Sequence, residues 1–304
     1  MADSLENIFI ILINSAFIIG ILGNGFIALV NCIDWIKMQK VSLADRILTA
    51  LAIFRTGLIL VMMVSWFTKE SYPFSSLDIK GNKVILFSIA GLLANYFSVW
   101  LATGLSLFYF LKIANFSNAV FLHLKFRIGM VFMVMFLGTL VLLPLSLTLN
   151  MAVEILFQNQ VNSKKNVTLD FLMIRYDLFF AIMFLIPFVV SLASFLLLIL
   201  SLCGHLRRMK GVDCSSEAHV RALKAMISFL LLFILHYLSN IMTVWANHIL
   251  GSFVAKIFVN MLLFFCPSGH PLLLILWNSK LKKASLCVLR KLRGYMNLRK
   301  LFQK

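Results

Sequence analysis

Seven runs of mostly apolar residues divide the chain, at approximately 8–31, 47–67, 84–110, 128–150, 178–203, 225–247 and 254–277. Crossing a hydrocarbon core as a helix takes about 20 such residues. No water is available there, so a spanning segment must satisfy its own backbone groups as a helix or close them into a barrel. The runs show no strand-like alternation, which removes the barrel. They predict an all-α membrane protein, a seven-transmembrane-helix bundle over residues 1–277, followed by a basic tail at 278–304. Composition agrees: 62% of the 304 residues are hydrophobic and 13% charged, more apolar surface than a soluble core of this size can hide.

The net charge of +17 is unevenly placed. Segments after the first, third, fifth and seventh runs hold 20 Lys and Arg, whereas the N-terminus and the other connections hold seven. Cytoplasmic loops carry the excess of basic residues, so the N-terminus is expected outside and the C-terminus in the cytoplasm. Acids run the other way, with four on the basic side, including Asp34 and Asp45, and seven on the other. Nucleic acid is the other common partner of a chain with a pI near 10, but here the charge flanks hydrocarbon on one side only. No nucleic-acid partner is expected. The basic tail suits anionic lipid head groups instead.

Orientation also selects between two glycosylation sequons. Asn115-Phe116-Ser117 follows the third run on the basic side, whereas Asn166-Val167-Thr168 falls in residues 151–177, read as the longest outer loop. Asn166 is therefore the expected glycan site. None of the five cysteines lies in an outer loop, so no extracellular disulfide is expected.

Polar residues inside the runs are the candidates for function. Asn24, between Gly23 and Gly25, is an amide deep in the first helix, where small neighbours admit close approach. It either only bonds another helix or also carries signal. Arg55 sits nine residues into the second helix, about 13 Å along the axis. An Arg there must find partners inside the bundle, with Asn24 or freed carbonyls as candidates, as a structural lock or a switch element. Trp66 near the outer end of that helix is an interfacial anchor or a pocket wall. Asn95 and Tyr96 lie in the outer half of the third helix, to bridge helices or to touch a ligand. Tyr109 and Lys112 end the same helix at the inner face.

In the sixth run Phe233, His236 and Asn240 recur at three and four residues and share one helix face. His236 and Asn240 form a polar strip suited either to a mostly apolar ligand cavity or to bonding between helices. Below the membrane, His219 and Lys224 lie on a solvated continuation of that helix, exposed to water or to a partner. The seventh run carries Asn260 in its outer half, then Cys266-Pro267-Ser268-Gly269-His270-Pro271, where two prolines and a glycine weaken the helix locally into an expected hinge.

Enzyme chemistry finds no footing. The spans hold no Asp or Glu for an intramembrane protease or a proton relay, and His and Cys lack metal-ligand spacing. No cofactor or metal is expected.

With these residues placed, the chain closely resembles the bitter taste receptors, the type 2 taste receptor family of G-protein-coupled receptors. The resemblance runs through LGNGFIALVNCIDW, DRILTALAIFR, FSVWLATGLSLFYFLKIANFS, IPFVVSLASFLLLILSL, HVRALKAMISFLLL, HPLLLIL and NSKLKKASL, in that order. It implies a plasma-membrane receptor that detects bitter small molecules in its outer half. The implied partner is a heterotrimeric gustducin-like G protein, with phospholipase C and calcium signalling. Homo- or hetero-oligomers are left open. By resemblance Trp66, Asn95, Tyr96, His236, Asn240 and Asn260 fall where the family contacts ligand. Asn24, Arg55, Tyr109, Lys112, His219, Lys224 and His270 fall where it couples activation to the G protein, and Asn166 matches its glycosylation site. Two departures stand out: Gly91 replaces a Trp one turn before Asn95, and Pro271 replaces a Ser after His270.

The rival receptor reading is a pheromone-type or other orphan chemosensory receptor. A seven-helix transporter would need an internal repeat or a charged path, and neither is present.

Overall fold

The computed structural model describes residues 2–37, 42–71, 81–163, 167–208, 213–249 and 253–302. Among them lie α1 (Ala2–Ile36), α2 (Leu43–Ser71), α3 (Gly81–Ile113), α4 (Ala119–Phe126), α5 (Ile128–Ser163), α6 (Val167–Arg208), α7 (Asp213–Ile249), α8 (Phe253–Trp277) and α9 (Ser279–Phe302), and no strand. Six of these, α1, α2, α3, α5, α6 and α7, contain a stretch long and apolar enough to cross a membrane. A seventh reaches that length only as a bent pair, Met261–Trp277 of α8 with Ser279–Lys291 of α9, at 93° to each other.

The helices pack as a closed ring: α1 against α2, α2 against α3, α3 against α5 and α6, α6 against α7, α7 against α8, and α8 back against α1. Helix α3 sits inside it. Its spanning window is 61% buried, against 6% for that of α5, which turns Leu137, Leu140 and Val141 outward. Outward apolar side chains meet lipid tails as apolar as themselves, so burial alone does not hold such helices together. Close packing and interhelical hydrogen bonds do.

Both are visible between α1 and α8. A Cβ at Gly20 would lie 2.6 Å from Ile59 and from Ser268, and one at Gly23 would lie 3.0 Å from Pro271. The expected close approach therefore runs through Gly20 and Gly23; Gly25 has nothing within 4 Å. At this contact Asn24 Nδ2 donates to the Gly20 carbonyl at 2.9 Å and to the Pro267 carbonyl at 3.2 Å. Pro267 O is the acceptor that the amide of residue 271 would ordinarily bond, and Pro271 has no N–H. The neighbouring helix thus supplies the missing donor, and α8 runs through both prolines as one helix.

Two apolar clusters fill the bundle toward its basic end. Ile27, Leu48, Leu51, Leu105, Leu274 and Leu281 join α1, α2, α3, α8 and α9. Leu111, Phe121, Leu198, Met226 and Leu230 join α3, α4, α6 and α7. Because α3 contributes to both, a shift of this helix disturbs both.

Helices extend further than the apolar runs. Residues 151–177, expected as a loop, are largely helix: α5 continues to Ser163 and α6 begins at Val167. No Pro or Gly interrupts residues 151–163, so nothing stops the helix as it leaves hydrocarbon. The segment after α3 holds the short α4, capped by Asn118, whose Oδ1 accepts from the Val120 amide at 2.8 Å. The tail is likewise helical. Asn278 caps α9 by accepting from the amides of Lys280 and Leu281 at 3.0 and 3.3 Å.

That corner is tied to the rest of the basic end. Lys280 Nζ lies 2.7 Å from Asp34 and 3.6 Å from Asp45, and donates to Asn31 Oδ1 at 2.9 Å. One ammonium therefore joins α9 to α1 and α2.

Candidate functional site

On α7, His236 and Asn240 are one turn apart and face α3. Asn240 Nδ2 donates to the backbone carbonyl of His236 at 2.7 Å, which fixes the amide's orientation. Its Oδ1 accordingly accepts from Asn95 Nδ2 at 2.9 Å, so a single amide pair bridges α3 and α7. The same Nδ2 lies 3.3 Å from His236 Nε2. Only an accepting Nε2 fits a donor there, so the neutral ring carries its proton on Nδ1. Among the described residues Asn95 Oδ1 and His236 Nδ1 have no hydrogen-bond partner.

Tyr96 does not join this strip. It is one residue beyond Asn95 and thus about 100° around the helix. Its hydroxyl donates to the Thr139 carbonyl of α5 at 2.9 Å, and its ring packs with Trp100 beside Met135, Leu142 and Leu143. Asn166 lies outside the described residues, and the side chains of Trp66, His219 and Asn260 lie outside the described ones.

From the strip toward the basic end, a cavity opens between α2, α3, α6, α7 and α8, with about 480 Å³ of empty space including its mouth. Arg55, Tyr109, His236, Cys266 and His270 line it together with apolar and aromatic side chains. Arg55 Nε donates to Ser98 Oγ at 3.3 Å, whereas its Nη1 has no partner. Neither anticipated kind of partner is recorded for Arg55: the carbonyl freed by Pro271 is taken by Asn24. The ring of His270 lies 5.3 Å from that of Phe229, and Cys266 Sγ donates to the Leu232 carbonyl at 3.6 Å. Tyr109 forms the floor, packed against both apolar clusters.

The structure thus brings Arg55, Tyr109, His236 and His270 to one chamber and stands Asn95 and Asn240 at its upper edge. Lys112 is exposed, with Nζ 5.2 Å from the centre of the Phe108 ring, and Lys224 is exposed on α7. The sequence reading passed over the hydroxyls that join α3 to α6. The single hydroxyl proton of Thr103 is shared between the Val99 carbonyl at 2.9 Å and Pro187 O at 3.2 Å, Ser191 donates to Thr103 Oγ1 at 2.9 Å, and Ser106 Oγ lies 3.4 Å from Ser191 Oγ. The spacing of Thr103 and Ser106 at i, i+3 was the available signal. Among the described residues no group of three His, Cys, Asp or Glu could hold a metal ion.

Membrane-length helices closed in a ring around a mostly apolar chamber with a few buried polar groups define a multi-pass membrane protein. The family model for taste receptor protein (TAS2R) matches residues 1–293. The chain is 41% identical over 308 residues to taste receptor type 2 member 31 of Papio hamadryas. It is 42% identical over 305 residues to taste receptor type 2 member 31 of Pongo pygmaeus and to taste receptor type 2 member 46 of Homo sapiens. Each alignment covers 97% of both chains. The chain belongs to the type 2 taste receptor family, the bitter taste branch of the G-protein-coupled receptors. These are receptors rather than enzymes.

Proposed function

We propose that this chain is a plasma-membrane receptor that takes amphipathic bitter molecules into the half of the bundle bounded by Asn95, His236 and Asn240. In response it activates a gustducin-like heterotrimeric G protein, with phospholipase C and calcium downstream. The observation that carries this reading is the Asn95–Asn240 bond at 2.9 Å between α3 and α7. The amides bond each other and leave Asn95 Oδ1 unpartnered. A ligand that offers a donor to Asn95, or replaces one half of the pair, changes the tie between two helices that both reach the basic end. Its effect on signalling equals its differential affinity for the two arrangements, and no more.

The excess of basic residues assigns that end to the cytoplasm, where Lys112 and Lys224 are exposed to an acidic partner surface. Trp66 and Asn260 are proposed as further ligand contacts, and His219 as a further coupling residue. Asn24, Arg55, Tyr109 and His270 transmit the change, and Asn166 carries the glycan. Tyr96, turned toward α5, acts on ligand response by positioning α3.

The test is calcium release in cells that co-express the chain with a gustducin-type chimaeric G protein, challenged with structurally diverse bitter compounds. A dose-dependent response is expected. Silence across a broad panel, with surface expression confirmed, would turn the reading toward a pheromone-type chemosensory receptor.

A further inference from the structure

We propose that the chamber beside Arg55 binds a small monovalent anion, with chloride as the abundant physiological occupant. Three groups on its wall are more than nine-tenths buried: Arg55, His236 and His270, at 6%, 8% and 8% exposure. Each has a nitrogen without a protein partner, namely Arg55 Nη1, His236 Nδ1 and His270 Nδ1. A guanidinium only donates, and the Asn240 contact leaves the proton of neutral His236 on Nδ1. Arg55 and His236, both on the chamber wall, therefore each hold a buried N–H donor without an acceptor, and Arg55 adds a whole positive charge.

Nothing on its wall balances that charge. Among the described residues no carboxylate lines the cavity. Asp34 and Asp45, at the basic end of α1 and α2, are paired with Lys280, and Asp45 lies ten residues from Arg55, about 15 Å along α2. The Cys266 sulfur donates to a carbonyl and so is a thiol, not a thiolate. Ser98, which accepts from Arg55 Nε, is neutral. An unpaired cation held away from water is strongly unfavourable, and one bound monoanion neutralises it.

The walls set the size and type of anion. Leu105, Phe195, Phe229, Leu232 and Phe233 make most of the lining, so an occupant must shed its hydration. That favours a halide over a strongly hydrated dianion such as sulfate. The cavity leaves about 30 Å³ to the centre of a water-sized sphere, against the roughly 10–15 Å³ that admits one water, so it has room for one small ion and not for a bulky one.

The test is thermal unfolding of the full chain, purified in lipid nanodiscs, at constant ionic strength with sodium gluconate exchanged for chloride, bromide or sulfate. Binding to the native state alone raises the midpoint with ligand concentration. The expected result is a midpoint that climbs by several degrees with chloride or bromide, with the logarithmic dependence of one site, and stays flat with sulfate. Arg55→Met should abolish the halide dependence. Should that variant fail to fold, chloride-35 NMR on the unaltered chain is expected to show line broadening that bromide competes away and that His236→Phe diminishes. A midpoint independent of halide, or one raised equally by sulfate, would overturn the proposal. The first outcome means a hydrated chamber, the second anions gathered on the basic surface.

Discussion

Asn24 donates, at 3.2 Å, to the one carbonyl of α8 that Pro271 leaves without its helical partner. The amide and the proline are therefore energetically coupled although they belong to different helices. Interhelical hydrogen bonds in membranes measure about 0.6 kcal/mol on average and up to about 1.7. Asn24→Leu should lower the unfolding midpoint of the purified receptor. In a Pro271→Ala background, where the new amide can serve Pro267 O, the same change should cost less. A double-mutant cycle with no coupling would separate the two residues.

Gly20 and Gly25 offer a matched pair of substitutions on one helix. Alanine at position 20 must push aside Ile59 and Ser268, whereas alanine at 25 meets nothing within 4 Å. Overpacking typically costs about 1–3 kcal/mol, while alanine exceeds glycine in helix propensity by about 1 kcal/mol. Gly20→Ala should reduce surface expression and thermal stability, and Gly25→Ala should leave both unchanged or improved. Equal behaviour of the two variants in a surface-expression assay would mean that α1 and α8 are not in this contact.

The ammonium of Lys280 answers two carboxylates that are themselves partly exposed. Exposed pairs contribute up to about 1 kcal/mol each and weaken with salt. Lys280→Ala should therefore release the start of α9 without unfolding the bundle. Hydrogen exchange of residues 279–291 should accelerate in this variant, and in the unaltered chain it should accelerate with added salt. Slow exchange in Lys280→Ala would assign the hold on α9 to Leu281 in the apolar cluster instead.

Asn95→Ala removes one side of the bond between α3 and α7 and leaves Asn240 Oδ1 without its donor. Loss of one neutral hydrogen bond is worth about 0.5–1.5 kcal/mol, so agonist potency should fall by roughly three- to tenfold, with a factor of ten for each 1.4 kcal/mol. Surface expression should hold. Calcium dose-response curves that superimpose on those of the unaltered receptor would remove Asn95 from the ligand site.

The spans were legible because hydrocarbon demands long apolar runs, and the start of the fourth run at residue 128 coincides with Ile128 of α5. Hydropathy marks only long apolar runs, so the eight-residue α4, the polar end of α5 and the basic α9 escaped it. Asn278, an N-cap ahead of Ser279, was the local clue to the last of these. Within the site, the i, i+4 spacing of His236 and Asn240 identified their shared face. Asn95 and Tyr96 both bridge helices, one of the two roles open to them, but to different neighbours, because consecutive helix residues diverge in direction. That Asn95 meets Asn240, and that Arg55 meets Ser98, depends on which helices neighbour each other, and no local pattern encodes this.

The corner between α8 and α9 acts as a crank. With the two axes at 93°, a twist of α8 about its own length becomes a sideways sweep of α9. The arm of 24 residues is about 36 Å long, so a twist of roughly 10° would carry its far end about 6 Å. Lys280 stands at the pivot, bound to Asp34 of α1 and Asp45 of α2. Any rotation of α8 large enough to move the arm would stretch those contacts, so the weak ion pairs at the pivot would resist a sweep of the whole helix.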